Sequence, residues 1–98
     1  MLKKKKRGYP NAVLIGLGEN QTTIWRIYSE SGKFEKNIDL SDRRDSKQLY
    51  NHYEMIVNNI RPLIKTGIRS IIIVNPSKTK YSTQLIDHFK KRHRWLFE

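Results

Sequence analysis

The amino-acid sequence predicts an α/β domain: a mixed sheet that opens with an N-terminal antiparallel β-meander and continues in the order β-β-β-α-β-α. Three observations predict it. Short runs of strand character fill residues 12–40, an apolar stripe of helical period follows from residue 45, and an isoleucine-rich run separates that stripe from a second helical pattern. Ala12, Val13, Leu14, Ile15 and Leu17, interrupted only by Gly16, make a nearly continuous apolar run. Such a run predicts a central strand covered on both faces. Gly18, Glu19 and Asn20 supply a turn. Thr22–Tyr28 then brings together β-branched and aromatic residues, with Ile24, Arg26 and Tyr28 on one face and Thr23, Trp25 and Ile27 on the other. After a second turn at residues 29–32, the third run places Phe34, Lys36, Ile38 and Leu40 on one face.

From Asp45 the period changes. Leu49, Tyr53, Ile56, Val57, Ile60, Leu63 and Ile64 fall on one helical stripe, with Asp42 or Asp45 available as N-cap and Gly67 beyond the end. Pro62 removes a backbone donor inside this helix and predicts a kink or a split last turn, at ~3 kcal/mol if uncompensated. Residues 70–74 predict a short buried strand reached by a helical crossover, hence a parallel partner. Ser77 or Thr79 opens a last helix carrying Tyr81, Leu85, Ile86 and Phe89, and Trp95–Phe97 reads as a short final strand.

The chain holds 98 residues and a formal charge of +11, from 20 Lys plus Arg against nine Asp plus Glu. That excess points to a polyanion, with RNA or a ribonucleoprotein as the leading class. A lysine run is also compatible with a solubilising tail, a localisation address or an anionic surface. No apolar stretch approaches the ~20 residues of a membrane span, and the N-terminal cations lack the apolar region of a secretory signal. With no cysteine there is no disulfide or thiolate metal site, and a cytoplasmic location is expected. Residues 1–10 read as a flexible basic arm ahead of one α/β domain over residues 11–98. The residues expected to meet RNA phosphates are Lys3, Lys4, Lys5, Lys6, Arg7, Arg43, Arg44, Lys47, Lys78, Lys80, Lys90, Lys91, Arg92 and Arg94. Tyr9, Tyr81 and Trp95 are available to stack on bases, while Trp25, Phe34, Tyr50, Tyr53 and Phe89 are expected in the core.

The segments NAVLIGLGENQTTIWRIYSESGKFEKNIDL and GIRSIIIVNPSKTKYSTQLIDHF, with a helix between them, resemble the central domain of the archaeal and eukaryotic peptide chain release factor and its relative Pelota. The resemblance spans roughly residues 11–90. It implies an RNase H-like order and a turn of the type Gly-Pro-Gly-Phe-x-Lys, whose counterpart is Asn75–Lys80, with Pro76 and Lys80 matching. It also implies a translational context, with tRNA, rRNA or the ribosome as partner. The family's other domains do not fit into 98 residues, so the chain is expected to be an excised or a stand-alone central domain. The catalytic members carry a Gly-Gly-Gln loop before the long helix. Here Ser41–Gln48 stands at that place, and neither Ser46 nor Lys47 replaces the glycines. Gln48 therefore reads as a residue of the helix start, as in the non-hydrolytic Pelota form.

Enzyme readings find little support. A two-metal nuclease needs converging carboxylates, including one in the first strand, which has none. His52, His88 and His93 show no metal spacing with one another and are expected on the surface, and no nucleotide-binding loop is present; no metal or cofactor is expected. The expected function is RNA or ribosome binding without catalysis. A peptidyl-tRNA hydrolase using the loop around Gln48 and a protein-interaction module are the alternatives.

Overall fold

The computed structural model describes residues 11–97. Strands β1 (Ala12–Leu17), β2 (Gln21–Ile27) and β3 (Gly32–Asp39) form the antiparallel meander, helix α1 (Ser46–Lys65) crosses to β4 (Ser70–Val74), and helix α2 (Tyr81–Arg92) leads into a 3-10 turn at Arg94–Phe97. The sheet order is β3-β2-β1-β4. β1 is central, antiparallel to β2 and parallel to β4, and the helical crossover runs from one edge strand, β3, to the other, β4.

Each strand supplies one core face. Val13, Ile15 and Leu17 of β1 lie beside Ile24 and Thr22 of β2 and Ile71 and Ile73 of β4 in register. Tyr53, Ile56, Val57 and Ile60 of α1 and Leu85 and Phe89 of α2 close the same cluster. Ile56, Val57 and Ile60 are fully buried, each contributing about 1.5–3 kcal/mol of transfer free energy. Because one cluster takes in both helices, both pack on the same sheet face. The opposite face carries a row read across the strands, Phe34, Trp25, Leu14 and Ile72. Phe34, Ile72 and the nearby Val74 are exposed there, so β1 is central but covered on only one face.

A bulge explains why Phe34 is not in the core. Ile24 pairs with Lys36 but Trp25 pairs with Phe34, so Glu35 is the extra residue of β3. Strand parity reverses there. Ile38 stays on the core face while Phe34 turns to the other, where its ring meets Trp25 edge-on at 5.4 Å. Glu35, set aside by the bulge, pairs with Arg26 at 2.8 Å. Tyr50 also departs from expectation, being exposed on α1.

Helix α1 starts where Asp45 caps it: the carboxylate accepts from the backbone N–H groups of Lys47 (3.0 Å) and Gln48 (3.2 Å). It ends at Thr66, and Gly67 follows at φ 108°, the left-handed conformation that glycine tolerates. Pro62 neither splits nor stops the helix, which runs unbroken to Lys65. Pro62 and Asn58, whose carbonyl it leaves without its usual helical donor, are both exposed, so water can satisfy the lost bond. α2 begins later than expected. Lys80 stands at the N-cap without a side-chain bond, and Asn75 Oδ1 accepts from the Ser82 N–H at 2.9 Å instead. Trp95–Phe97 forms the 3-10 turn rather than a strand.

Candidate nucleic-acid interface

The two helices run side by side in the same direction. Arg43, just before α1, lies over the ring of Tyr81 at the start of α2 (3.7 Å), and Arg61, near the end of α1, lies over the ring of Trp95 beyond α2 (4.6 Å). The molecule therefore has a loop end, with the 18–20, 40–45 and 75–80 connections, and an opposite end where both helices finish. The expected RNA-contacting residues divide between them.

At the loop end lie Arg43, Arg44, Lys47, Lys78 and Lys80, among the carboxylates Glu19, Asp39, Asp42 and Asp45. Charge there nearly balances. Arg43 is half-buried and works inside the fold: its guanidinium stacks on Tyr81, and Nη2 donates to the Gly18 carbonyl at 2.8 Å. That use takes both Arg43 and the face of Tyr81 away from RNA. Arg44 is 93% exposed and bonds only Asp42. Lys47, Lys78 and Lys80 are exposed, with Lys78 in the left-handed region at φ 63°. Gln48 is exposed in the first turn of α1, where its amide donates to the capping carboxylate of Asp45 at 3.3 Å.

At the helix-finishing end the balance is different. Arg61, Lys65, Arg69, Lys90, Lys91, Arg92 and Arg94 gather on the last turns of α1, the approach to β4 and the last turn of α2. The carboxylates on these helices are Asp87 and Glu54, and Glu54 is already engaged by two histidines. The strand-side turn at this end adds Glu30. A cleft of about 270 Å³ opens among these cations, lined by Ile64, Gly67, Ile68, Arg69, Trp95 and Leu96. Part of the cationic charge also offsets the negative pole of α2. Trp95 is thus a half-buried wall of this cleft, with Arg69 in the same lining, and Arg61 already covers one face of its ring as Arg43 covers that of Tyr81. Arg61, Lys65 and Arg69 belong to this surface although their spacing in the sequence does not single them out. Lys3, Lys4, Lys5, Lys6 and Arg7 lie outside the described residues; the chain enters β1 at this same end.

The histidines are not surface residues. His52 is buried, 3% exposed, and its Nε2 lies 2.7 Å from Thr22 Oγ1 under the sheet. Burial lowers its pKa, the Arg43 charge acts in the same direction, and Asp39 opposes both. Burial pushes the neighbouring Tyr53 phenol up. His88 and His93 both direct Nε2 at one oxygen of Glu54, at 2.7 and 2.8 Å. The hydrogen bond from His93 is the largest influence on the Glu54 carboxyl and, helped by the weaker one from His88, holds it below its ordinary range although burial pushes it up. A five-residue spacing separates two side chains on a helix, but α2 ends at Arg92. His93 has already left the helix at φ −136°, which swings its ring back beside His88.

Fold and charge together define a small basic α/β domain with one cationic end. Compared with known proteins, the chain matches no protein-family model, no curated protein and no solved structure. No helix among the described residues is long and apolar enough to cross a membrane.

Proposed function

We propose that this chain is an RNA- or ribosome-binding domain that acts without catalysis, through the end where its two helices finish. The observation that carries this reading is that seven Lys and Arg residues belong to the segments at the end where the helices finish, with Arg69 lining the cleft beside Trp95, while the loop end is nearly neutral. Phosphates would meet the cations and fix orientation. The order β3-β2-β1-β4, with β1 parallel to β4, supports the RNase H-like arrangement implied by the release factor and Pelota resemblance. On that basis the context is cytoplasmic translation or ribosome rescue, and the partner is tRNA or rRNA. The contact of the Gln48 amide with the capping carboxylate of Asp45 favours this reading over the hydrolase one.

The test is the salt dependence of tRNA binding by fluorescence anisotropy. If about five phosphates are neutralised, affinity falls by roughly three orders of magnitude between 50 and 200 mM salt. Affinity unchanged by salt, or no binding at the lowest salt, contradicts the proposal. Addition of the chain to peptide-loaded ribosomes is expected to release no peptide.

A further inference from the structure

We propose that Glu54, His88 and His93 bind a divalent transition-metal ion of the zinc class, fastening the end of α2 to the middle of α1. A carboxylate oxygen and two imidazole Nε2 atoms lie within 4.8 Å of one another, contributed by the middle of α1, the third turn of α2 and the C-cap of α2. Oxygen and imidazole nitrogen are donors that zinc-class ions accept at ~2.0–2.1 Å, and three protein ligands leave a fourth position for water. A tetrahedral shell with those bond lengths holds its ligand atoms roughly 3.3 Å apart. The two histidines stand at 2.7 and 2.8 Å from the Glu54 oxygen, so the side chains open by about half an ångström to admit the ion.

The surroundings suit a preorganised site. The side chains of His88 and His93 are 9% and 12% exposed, while that of Glu54 is 31% exposed and leaves a path to solvent. Tyr50 and Tyr53 pack against the His88 ring at 5.1 and 5.0 Å, and Trp95 stands edge-on to His93. The nearest cations are drawn off onto aromatic faces, Arg92 over Tyr50 and Arg61 over Trp95. The ion takes the place of the protons on the Nε2 atoms that face Glu54. When His93 Nε2 takes the metal, the single proton of that ring moves to Nδ1 rather than leaving it. The Trp95 indole N–H now donates to that atom at 3.4 Å, a weak bond that must open. Metal binding therefore changes the environment of Trp95.

The experiment uses the untagged full chain at pH 7.5. Zn²⁺ is titrated by calorimetry, and Co²⁺ by visible absorption and tryptophan fluorescence. The expected result is one ion per chain with a micromolar dissociation constant and an intense four- or five-coordinate Co²⁺ spectrum. Fluorescence quenching is expected to be largely lost in Trp95→Phe. Affinity is expected to drop at least about tenfold in Glu54→Gln, His88→Gln and His93→Gln. Binding weaker than about 1 mM, a Co²⁺ spectrum like that of the hydrated ion, or equal affinity in all folded ligand variants overturns the proposal. If a ligand variant does not fold, the wild-type Co²⁺ spectrum and the Trp95→Phe comparison decide. RNA binding is measured in chelator, so the two proposals fail separately.

Discussion

The hydrogen bond between Thr22 and His52 permits a quantitative test of how the core is held. Thr22 is fully buried, His52 is 3% exposed, and Oγ1 to Nε2 is 2.7 Å; His52 Nδ1 is buried with no partner among the described residues. His52→Leu leaves a buried hydroxyl unsatisfied, and Thr22→Val leaves a ring nitrogen in the same state. Each is expected to cost about 1–3 kcal/mol. The double variant removes both polar groups and is expected to be clearly more stable than the sum of the single effects predicts, with a coupling of at least about 1 kcal/mol. Urea unfolding followed by circular dichroism measures all four proteins. Protonation adds a second arm. The folded pKa of His52 lies below its unfolded value, so its contribution is complete above about pH 6.5 and is lost as pH falls from there toward the folded pKa. The slope is positive and at most about 1.4 kcal/mol per pH unit, because the unfolded chain binds a proton that the native chain refuses. His52→Leu is expected to lose that part of the slope below about pH 6.5. Additive single effects, or an unchanged slope in His52→Leu, would mean that this hydrogen bond does not hold the core.

Other variants separate structural cations from free ones. Arg43→Ala removes the stack on Tyr81 and the bond to the Gly18 carbonyl and is expected to destabilise by about 1–3 kcal/mol, whereas Arg44→Ala changes stability by less than about 0.5 kcal/mol; chemical denaturation compares them. Lys78 holds φ 63°, so Lys78→Gly is expected to raise Tm by a few degrees, read by calorimetry, corresponding to roughly 0.5–1 kcal/mol of relieved strain. Glu54 has a folded pKa below its unfolded value. Its contribution is present above about pH 4.5 and is lost as pH falls toward the folded value, a loss expected to be absent in Glu54→Gln melts.

What the sequence revealed follows from the range of each signal. The α1 stripe from Leu49 to Ile64 was legible because a period of 3.6 repeated over about four turns leaves one packing solution, and Asp45 and Gly67 marked its ends. The parallel placement of β4 followed from the crossover rule. Phe34 was misread because one extra residue at Glu35 reverses strand parity, and a bulge leaves no mark in the apolar pattern. The His88–His93 pair was missed because the spacing rule holds only while both residues are helical, and the helix stops between them. Arg43 looked like a ligand-facing cation because composition does not reveal that a carbonyl and a tyrosine ring already hold it. The division of charge between two ends depends on the helices running in the same direction, a tertiary fact. Arg61, Lys65 and Arg69 gain their meaning only when α1 finishes beside the 3-10 turn.

Charge reversal distinguishes the two ends of the molecule. Lys90→Glu/Arg94→Glu alters the helix-finishing end and Arg44→Glu/Lys47→Glu the loop end, with the same change in net charge. At 100 mM salt, with folding checked by circular dichroism, tRNA affinity is expected to fall more than about tenfold in the first pair and only about two- to threefold in the second. Equal losses in both pairs, or the greater loss from the loop end, would contradict the account.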